Sequence, residues 1–384
     1  MIKRYDFIVI NRSIWPKYSI IGKALLKLLH NRSVSKNKVA LVAQCNKENK
    51  TDLNKYKKSS GKNFFLAKAF SDSNSSLLIR ILDSLFFMFW VLIVLIITRP
   101  KNIYISTDPP IIIPFIVALY AKFSSSKFTY HVQDIHPEAT NLIRNINFFL
   151  ISILKKIDNF TLSQANQIIT LNEIMKSQLL HRLKFKKEIK IIYNPSAPIK
   201  SLKSTRKKRG FTYTGNIGRF QRIPILLECI NEYYKKGGRL KFIFVGGGVY
   251  ANKILEQSKY NPCIKYFSRK PFSRAINISR NYEWALLPTE DHITKFAFPS
   301  KLSSYVCSGA KILAICDKET SVSQWIKSNR LGIIVKPKIE DLVEIFFKIE
   351  KNTFKDDFID LKRFELKKKL SFDKFVDNLE KSFH

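Results

Sequence analysis

The chain has 384 residues, of which 45% are hydrophobic and 13% aromatic, with only 12 glycines and 14 prolines. This length exceeds what one compact core usually covers and predicts two domains, and the composition excludes a disordered or collagen-like chain. The 67 Lys and Arg against 30 Asp and Glu give a formal net charge of +37. Anionic partners are therefore expected: nucleic acid, acidic phospholipids or phosphorylated small molecules. Alternatively, an AT-rich coding sequence supplies most of the excess, because the lysines are scattered beside Asn and Ile.

The cysteines and histidines predict neither a disulfide framework nor a metal site. The five cysteines are odd in number, widely separated and contain no C-x-x-C pair, which is typical of a reduced cytoplasmic protein without structural zinc. The histidines outside the motifs described below form no i, i+4 pair, so no metal site is expected. Residues 3–10 alternate charged and apolar types without a signal-peptide pattern, which argues against secretion by that route.

Short strand-like apolar runs alternate with helical periodicity along the whole chain, the pattern of parallel sheets covered by helices. We therefore predict an α/β protein with two Rossmann-like, doubly wound domains. The predicted strands are 7–10, 39–43, 103–106, 128–133, 167–170, 189–193, 211–214, 240–245, 264–267, 284–287, 311–315 and 332–335. The first domain is expected at 1–195 and the second at 196–355, with a linker at 200–209. Residues 356–384 are expected to form an amphipathic C-terminal helix that packs back on the first domain.

Residues 85–97, LFFMFWVLIVLII, form a continuously apolar run. A helix that spans a bilayer needs ~20 apolar residues, so this run is too short to span. Two interpretations are open. It is a buried crossover helix, or it inserts shallowly into the cytoplasmic leaflet, which attracts basic flanking residues.

Three segments have the form of anion-binding turns. YTGNIGRFQR, residues 213–222, follows a strand and precedes a helix that starts near Ile223, and small residues there let the backbone approach phosphate oxygens. VGGG, residues 245–248, repeats the arrangement without the G-x-G-x-x-G spacing, so a nicotinamide or flavin site is not expected. In FPSKLSSYVCSGAKILA, residues 298–314, Lys301 falls in the first turn of a helix, where a cation is unfavourable unless it faces a bound anion.

The chain resembles glycosyltransferase family 4, two-domain enzymes of GT-B type, and most closely the bacterial enzymes that build O-antigen, capsule and exopolysaccharide. The motifs that carry the resemblance are VQDIHPEA (132–139), IIYNPSAP (191–198), YTGNIGRFQR, FVGGG, EWALLP (283–288) and FPSKLSSYVCSGAKILA. The resemblance implies two domains that face each other across a cleft. It also implies that the second domain binds the nucleotide-sugar, through Gly215, Asn216, Arg219, Arg222, Gly246, Pro299, Ser300, Lys301 and Ser304.

The sequence departs from the family pattern at four positions. Arg222 stands where the family has lysine, and Asn216 stands where it has arginine. The paired glutamates of the family, E-x7-E, fall at Phe296 and Ser304. The first normally contacts the transferred sugar and the second the ribose, and a Ser304 hydroxyl would bind a ribose hydroxyl less strongly than a carboxylate.

In the first domain, Asp134, His136 and Glu138 follow one strand end and Asp108 follows another. A carboxylate or imidazole there could accept the proton of an attacking hydroxyl. Alternatively, Asp134 and Glu138 cap the next helix and His136 is a spacer.

The favoured hypothesis is a retaining, metal-independent transferase without cofactor. Its donor would be a UDP-linked nucleoside-diphosphate sugar, with acetamido sugars among the candidates. Its acceptor would be a polyprenyl-diphosphate-linked saccharide at the cytoplasmic membrane face, beside anionic lipids. Three alternatives stay open: a nucleotide-sugar epimerase or hydrolase of the same fold, a nucleic-acid-binding basic protein, and a non-catalytic subunit. The nucleic-acid alternative lacks a recognisable binding motif.

Overall fold

A computed structural model describes residues 4–14, 20–35, 37–46, 51, 53, 62–71, 75–143, 145–183, 187–196, 207–270, 272–353 and 360–383. The chain divides into two compact units. The N-terminal unit comprises Met1–Asn194 and Asp373–His384, and the C-terminal unit comprises Pro195–Phe372. Most of the expected linker at 200–209 lies outside the described residues.

The N-terminal unit contains a seven-stranded sheet in which every pairing is parallel, with strand order β3-β2-β1-β4-β5-β6-β7. Its strands are β1 (Phe7–Ile10), β2 (Val39–Cys45), β3 (Asn63–Lys68), β4 (Asn102–Ser106), β5 (Lys127–His131), β6 (Gln167–Thr170) and β7 (Ile189–Ile191). Its helices are α1 (Ile20–Val34), α2 (Leu77–Thr98), α3 (Ile112–Phe123), α4 (Glu138–Asn141), α5 (Phe148–Gln164), α6 (Glu173–Arg182) and the C-terminal α14 (Phe372–Lys381).

The C-terminal unit contains a six-stranded parallel sheet with order β10-β9-β8-β11-β12-β13. Its strands are β8 (Lys208–Asn216), β9 (Phe242–Gly247), β10 (Ile264–Phe267), β11 (Tyr282–Pro288), β12 (Lys311–Ile315) and β13 (Gly332–Val335). Its helices are α7 (Ile223–Lys235), α8 (Ala251–Tyr260), α9 (Phe272–Arg280), α10 (Lys301–Ser308), α11 (Ser321–Ser328), α12 (Ile339–Glu350) and α13 (Asp360–Lys369). Two 3₁₀ turns, Arg219–Gln221 and His292–Lys295, complete it.

The predicted class is confirmed, because each unit is a doubly wound parallel α/β domain. The strands form because their apolar runs are covered on both faces, as in β1 and β2, where every residue is buried. β3 was not predicted, since its apolar run is short and adjoins charged and polar residues; it exists because it pairs along β2 from Asn63 to Lys68. The C-terminal segment contains two helices, α13 and α14, where one was expected.

The strand order fixes where each unit can bind a ligand. In each sheet, successive strands are added first towards one edge and then towards the other. The change occurs between β1 and β4 in the N-terminal unit and between β8 and β11 in the C-terminal unit. In open α/β sheets, the loops after the two strands at such a point leave a crevice at the carboxyl edge. The predicted site residues follow these strands or their neighbours.

Candidate functional site

The last residues of β8 and β9 in the C-terminal unit approach each other so closely that a side chain at Gly246 would clash. Gly215 and Gly246 pair across the strands, and a Cβ added to Gly246 would lie 1.9 Å from the Gly215 carbonyl oxygen. Gly215 has φ +123° and Gly248 has φ +148°, a region that other residues rarely adopt. These glycines leave open backbone at the carboxyl edge of the sheet, as close approach to a phosphate requires.

Lys301 lies beside this open backbone. It begins α10 directly after Ser300, and its ammonium donates a 2.6 Å hydrogen bond to the hydroxyl of Tyr213. A Cβ on Gly215 would lie 3.7 Å from Cε and 3.9 Å from Nζ of Lys301. Burial lowers the pKa of Lys301 to about 7. The ammonium also lies 4.0 Å from the centroid of the Tyr213 ring. Within the described residues no carboxylate pairs with it, so this cation at a helix N-terminus has no anionic partner.

Arg222, in contrast, is held by two carboxylates. Its guanidinium lies 2.6 Å from Asp291 and 3.2 Å from Glu290, and it donates to the carbonyl of Thr289 at 2.9 Å. The backbone N–H of Glu290 also donates to the carbonyl of Phe220. These bonds fasten the loop after β11 to the loop after β8, and they compensate the charge of Arg222 inside the unit.

The remaining predicted donor residues occupy different environments. Asn216, the last residue of β8, and Arg219, in the following 3₁₀ turn, are exposed. Pro299 and Ser300 precede α10. Ser304 is buried on α10, and its hydroxyl has no hydrogen-bond partner in the described part of the chain. Residues 289–291, T-E-D, were missed by the sequence analysis, although their position directly after a buried strand could have indicated them.

In the N-terminal unit, Asp108 and Asp134 interact at the carboxyl edge. Asp108 follows β4 and accepts hydrogen bonds from the backbone N–H of Ser13 at 2.9 Å and from the side-chain amide of Asn11 at 3.4 Å. The backbone N–H of Asp134, after β5, donates to the hydroxyl of Thr107 at 3.3 Å. Burial, and then the charge of Asp108, raises the pKa of Asp134 to about 6. A carboxylate with this pKa can hold or release a proton near neutral pH.

His136 and Glu138 take part in other contacts. Nδ1 of His136 lies 2.7 Å from the hydroxyl of Thr140, and burial, followed by Arg182, lowers the pKa of His136 to about 4. Glu138 pairs with Arg182 at 3.2 Å and with Lys155 at 3.3 Å. Arg182 itself is bound to the buried Asp158 at 2.7 Å, and it donates to the carbonyl of His136. Glu138 therefore belongs to an ion-pair network that joins α4, α5 and α6.

Among the residues that the structure describes, no group of three or more His, Cys, Asp or Glu side chains could hold a metal ion.

Comparison with known proteins gives one curated relative and many solved structures, while no family model matches. The relative, a probable glycosyltransferase named WbjE from Pseudomonas aeruginosa, is 24% identical over 252 residues. The match covers 61% of this chain and 62% of that protein, so the chain matches less than two thirds of its relative's length.

The solved structures support the fold over nearly the whole chain. One is S. aureus TarM in complex with fondaparinux, alpha-GlcNAc-glycerol and UDP, with a TM-score of 0.65, 10% identity and full coverage of both chains. Another is WaaG, a glycosyltransferase involved in lipopolysaccharide biosynthesis, with a TM-score of 0.62 and 10% identity, covering 97% of this chain and 98% of WaaG. The chain therefore has the two-domain fold of GT-B glycosyltransferases.

Proposed function

We propose that this chain is a glycosyltransferase that moves a sugar from a UDP-linked donor to a polyprenyl-diphosphate-linked saccharide during surface polysaccharide assembly. Transfer with retention of configuration, an acetamido sugar as the transferred group, and independence from metal ions and cofactors belong to the same proposal. It is supported by the similarity to WbjE, by the UDP bound in TarM, and by the biosynthetic role given for WaaG.

The observation that carries the proposal is Lys301. A cation in the first turn of a helix is electrostatically unfavourable unless an anion lies nearby. Lys301 is in this position, its pKa is lowered to about 7 by burial, and it adjoins the open backbone of Gly215. A diphosphate at this edge would remove the cost of the uncompensated ammonium, and it would accept hydrogen bonds from the N-terminus of α10.

Departure of the nucleoside diphosphate places negative charge on the leaving oxygen, and fixed cations stabilise that charge. Lys301 and the exposed Arg219 are available for this role. Arg222 contributes by another route, because its bonds to Glu290 and Asp291 hold the loop after β11 in place. Neutralisation by side chains would make a divalent ion unnecessary.

Acceptor activation is assigned to Asp134. Its raised pKa, about 6, leaves it ionised at neutral pH and able to accept a proton from a sugar hydroxyl. Burial, followed by the charge of Asp108, which the loop after β1 holds in place, keeps that pKa raised. A lipid-linked acceptor would be presented at a membrane, so the proposal also places the protein on the cytoplasmic membrane face beside anionic lipids.

The donor site is tested by thermal shift and calorimetry with UDP, GDP and UDP-acetamido sugars, on wild type, Lys301→Ala and Lys253→Ala. Lys253 is an exposed lysine on α8 of the same unit and serves as the matched control. We expect one nucleoside diphosphate to stabilise wild type and Lys253→Ala, and Lys301→Ala to lose most of that stabilisation.

Sugar transfer is then measured with the donor so identified and a polyprenyl-diphosphate-linked saccharide, with product anomers assigned by NMR. Inversion at C2 of the donor sugar without an acceptor would instead identify an epimerase. Absence of a shift with every nucleotide, in a protein that unfolds cooperatively, would refute the donor site.

A further inference from the structure

The helices on one face of the N-terminal sheet have an unusual outer surface. α2 packs against α3, and α3 packs against α5. Their exposed large apolar side chains, called here the outer apolar face, are Leu78, Ile79, Ile81, Leu82, Phe86, Phe89, Ile93, Ile96 and Ile97 on α2, Phe123 on α3, and Phe148, Phe149, Leu150 and Ile153 on α5. Such a concentration of exposed apolar residues marks an interaction surface.

The pattern along α2 excludes an ordinary core helix. Its inner stripe, which contains Phe87, Val91 and Val94, is buried. A helix with one face on a core normally has polar residues on the opposite face. The opposite stripe of α2 is instead apolar, with Leu78 68% and Phe89 59% exposed. One side of the helix is therefore buried in the unit, as expected of a crossover helix, and the other side is exposed.

The segment is longer than the sequence indicated, and it lies along the unit. Residues 78–98 are long and apolar enough to cross a membrane by length and composition. However, the buried carboxylate of Asp83, near the start of α2, binds Arg12 at 2.6 Å and Gln44 at 2.8 Å and accepts from the hydroxyl and N–H of Ser71. A spanning orientation would break these bonds and expose the inner stripe, so the helix is expected to lie flat.

Charge identifies the occupant of the outer apolar face. The charged residues of α2, α3 and α5 are Arg80, Asp83, Lys122, Lys155, Lys156 and Asp158. Both acids are buried in ion pairs, with Arg12 and Arg182. Arg80, Lys122 and Lys156 are exposed. The accessible charge of this layer is therefore only positive. Like charges would disfavour docking of a second copy of the same face, whereas a surface that carries negative charge would be attracted.

We propose that the outer apolar face of α2, α3 and α5 docks on a bilayer that contains anionic lipids, with its apolar side chains in the acyl boundary and Arg80, Lys122 and Lys156 at the headgroups. Amphipathic surfaces of this kind bind by buried apolar area together with attraction of basic residues to acidic lipids. The outer apolar face includes the start of α5, where Phe148 is 86% and Phe149 73% exposed. The apolar run at residues 85–97 did not indicate this part of the face.

The docking surface also lies near the candidate acceptor residues. Arg12, which binds Asp83 of α2 through its side chain, donates its backbone N–H to the carbonyl of Asp108 at 2.8 Å. The start of α2 is thereby tied to the loop that positions Asp108. A bilayer on this face would lie next to the edge of the sheet where an acceptor hydroxyl is to be activated. That consequence rests on the proposed function, whereas the docking itself does not.

The test is flotation of the full chain with vesicles of phosphatidylcholine, with and without phosphatidylglycerol. We expect binding to the anionic vesicles that weakens with salt, and a loss of about ten-fold or more in Phe89→Glu/Ile93→Glu and in Phe148→Glu/Phe149→Glu. The matched control is Val249→Glu/Tyr260→Glu, at exposed apolar residues of the C-terminal unit, which should bind as wild type does.

The depth of insertion is measured separately by brominated-lipid quenching of a single tryptophan placed at Phe89, at Phe148 or, as control, at Tyr260. The four native tryptophans, which include Trp90 on α2, are first replaced by phenylalanine. Quenching at the first two positions alone is expected. Binding that is lost in Arg80→Gln/Lys122→Gln/Lys156→Gln but unchanged in the glutamate variants, without quenching, would overturn apolar docking. So would wild-type dimers that become monomers in Phe89→Glu/Ile93→Glu without any vesicle binding.

Lys301→Ala keeps failures of the two proposals distinguishable, because it should lose nucleotide binding and still float with vesicles. Hydrogen-exchange protection of the N-terminal strands, equal to that in wild type, shows that the glutamate variants are folded.

Discussion

The two units share a doubly wound parallel sheet and differ in what their carboxyl edges and outer helices carry. The C-terminal unit combines glycine-only backbone with an uncompensated Lys301, a composition suited to a diphosphate. The N-terminal unit instead has two interacting carboxylates, Asp108 and Asp134, and an outer apolar face. The same fold thus presents open backbone beside a cation in one unit, and carboxylates with an exposed apolar face in the other, because a fold does not fix the side chains at its edges and faces.

The largest expected effect is on stability of the N-terminal unit alone. Asp83→Ala leaves Arg12 and four other donor groups without their shared buried acceptor, which typically costs ~3–5 kcal/mol. Chemical denaturation monitored by hydrogen exchange should show early unfolding of the first unit. UDP binding by the C-terminal unit should persist. Equal destabilisation of both units would contradict the independence that the comparison assumes.

The glycine loops of the C-terminal unit are tested by two neighbouring substitutions. In Gly246→Ala the new Cβ meets the Gly215 carbonyl at 1.9 Å, so the backbone must shift, at a cost of ~1–3 kcal/mol or more. In Gly247→Ala the nearest atom is 3.9 Å away, on Arg269, and the change should be tolerated. Thermal unfolding and nucleotide titration measure both variants. Similar behaviour of the two would show that close backbone approach is not required.

Asp134→Asn should lower turnover and raise stability together. Turnover should fall ~100-fold if Asp134 accepts the proton, and wild-type activity should decline as the pH falls through about 6. The folded pKa is raised above the unfolded value, so the ionised group destabilises the fold at pH 6 and above, and this penalty disappears as the pH falls towards 4. The variant should therefore be more stable by ~1–3 kcal/mol at pH 7 and little changed at pH 4.

Denaturation at both pH values, together with the pH–rate profile, provides the check. Unchanged turnover in Asp134→Asn would favour the helix-capping interpretation of this residue.

The smallest expected effect is proton uptake by the C-terminal unit. With a pKa of about 7, Lys301 is partly neutral near pH 7, and a bound diphosphate would raise that pKa. Calorimetry of UDP binding in buffers of different ionisation enthalpy should therefore report uptake of a fraction of a proton, with weaker binding as the pH rises above 7. Lys301→Arg keeps the charge at every pH and should bind UDP with less uptake. Identical uptake in both proteins would assign the proton to the nucleotide.

The sequence determined the fold class and most strands, because alternation of apolar runs with helical periodicity is a local property. It also predicted Gly215, Gly246 and Lys301 as candidate site residues, since glycine-rich turns and a cation at a helix start are visible in one dimension. β3 required tertiary information, because its short apolar run becomes a strand only by pairing with β2.

Only the tertiary structure decided how the charged side chains are paired. Arg222 is bound by Glu290 and Asp291, and Glu138 is bound by Arg182, contacts between residues more than 40 positions apart. The raised pKa of Asp134 likewise depends on burial and on the charge of Asp108, which the end of a neighbouring strand brings near it. The same holds for α2: composition made it apolar, but only packing left one of its apolar sides exposed, because burial depends on which elements the sheet places beside it.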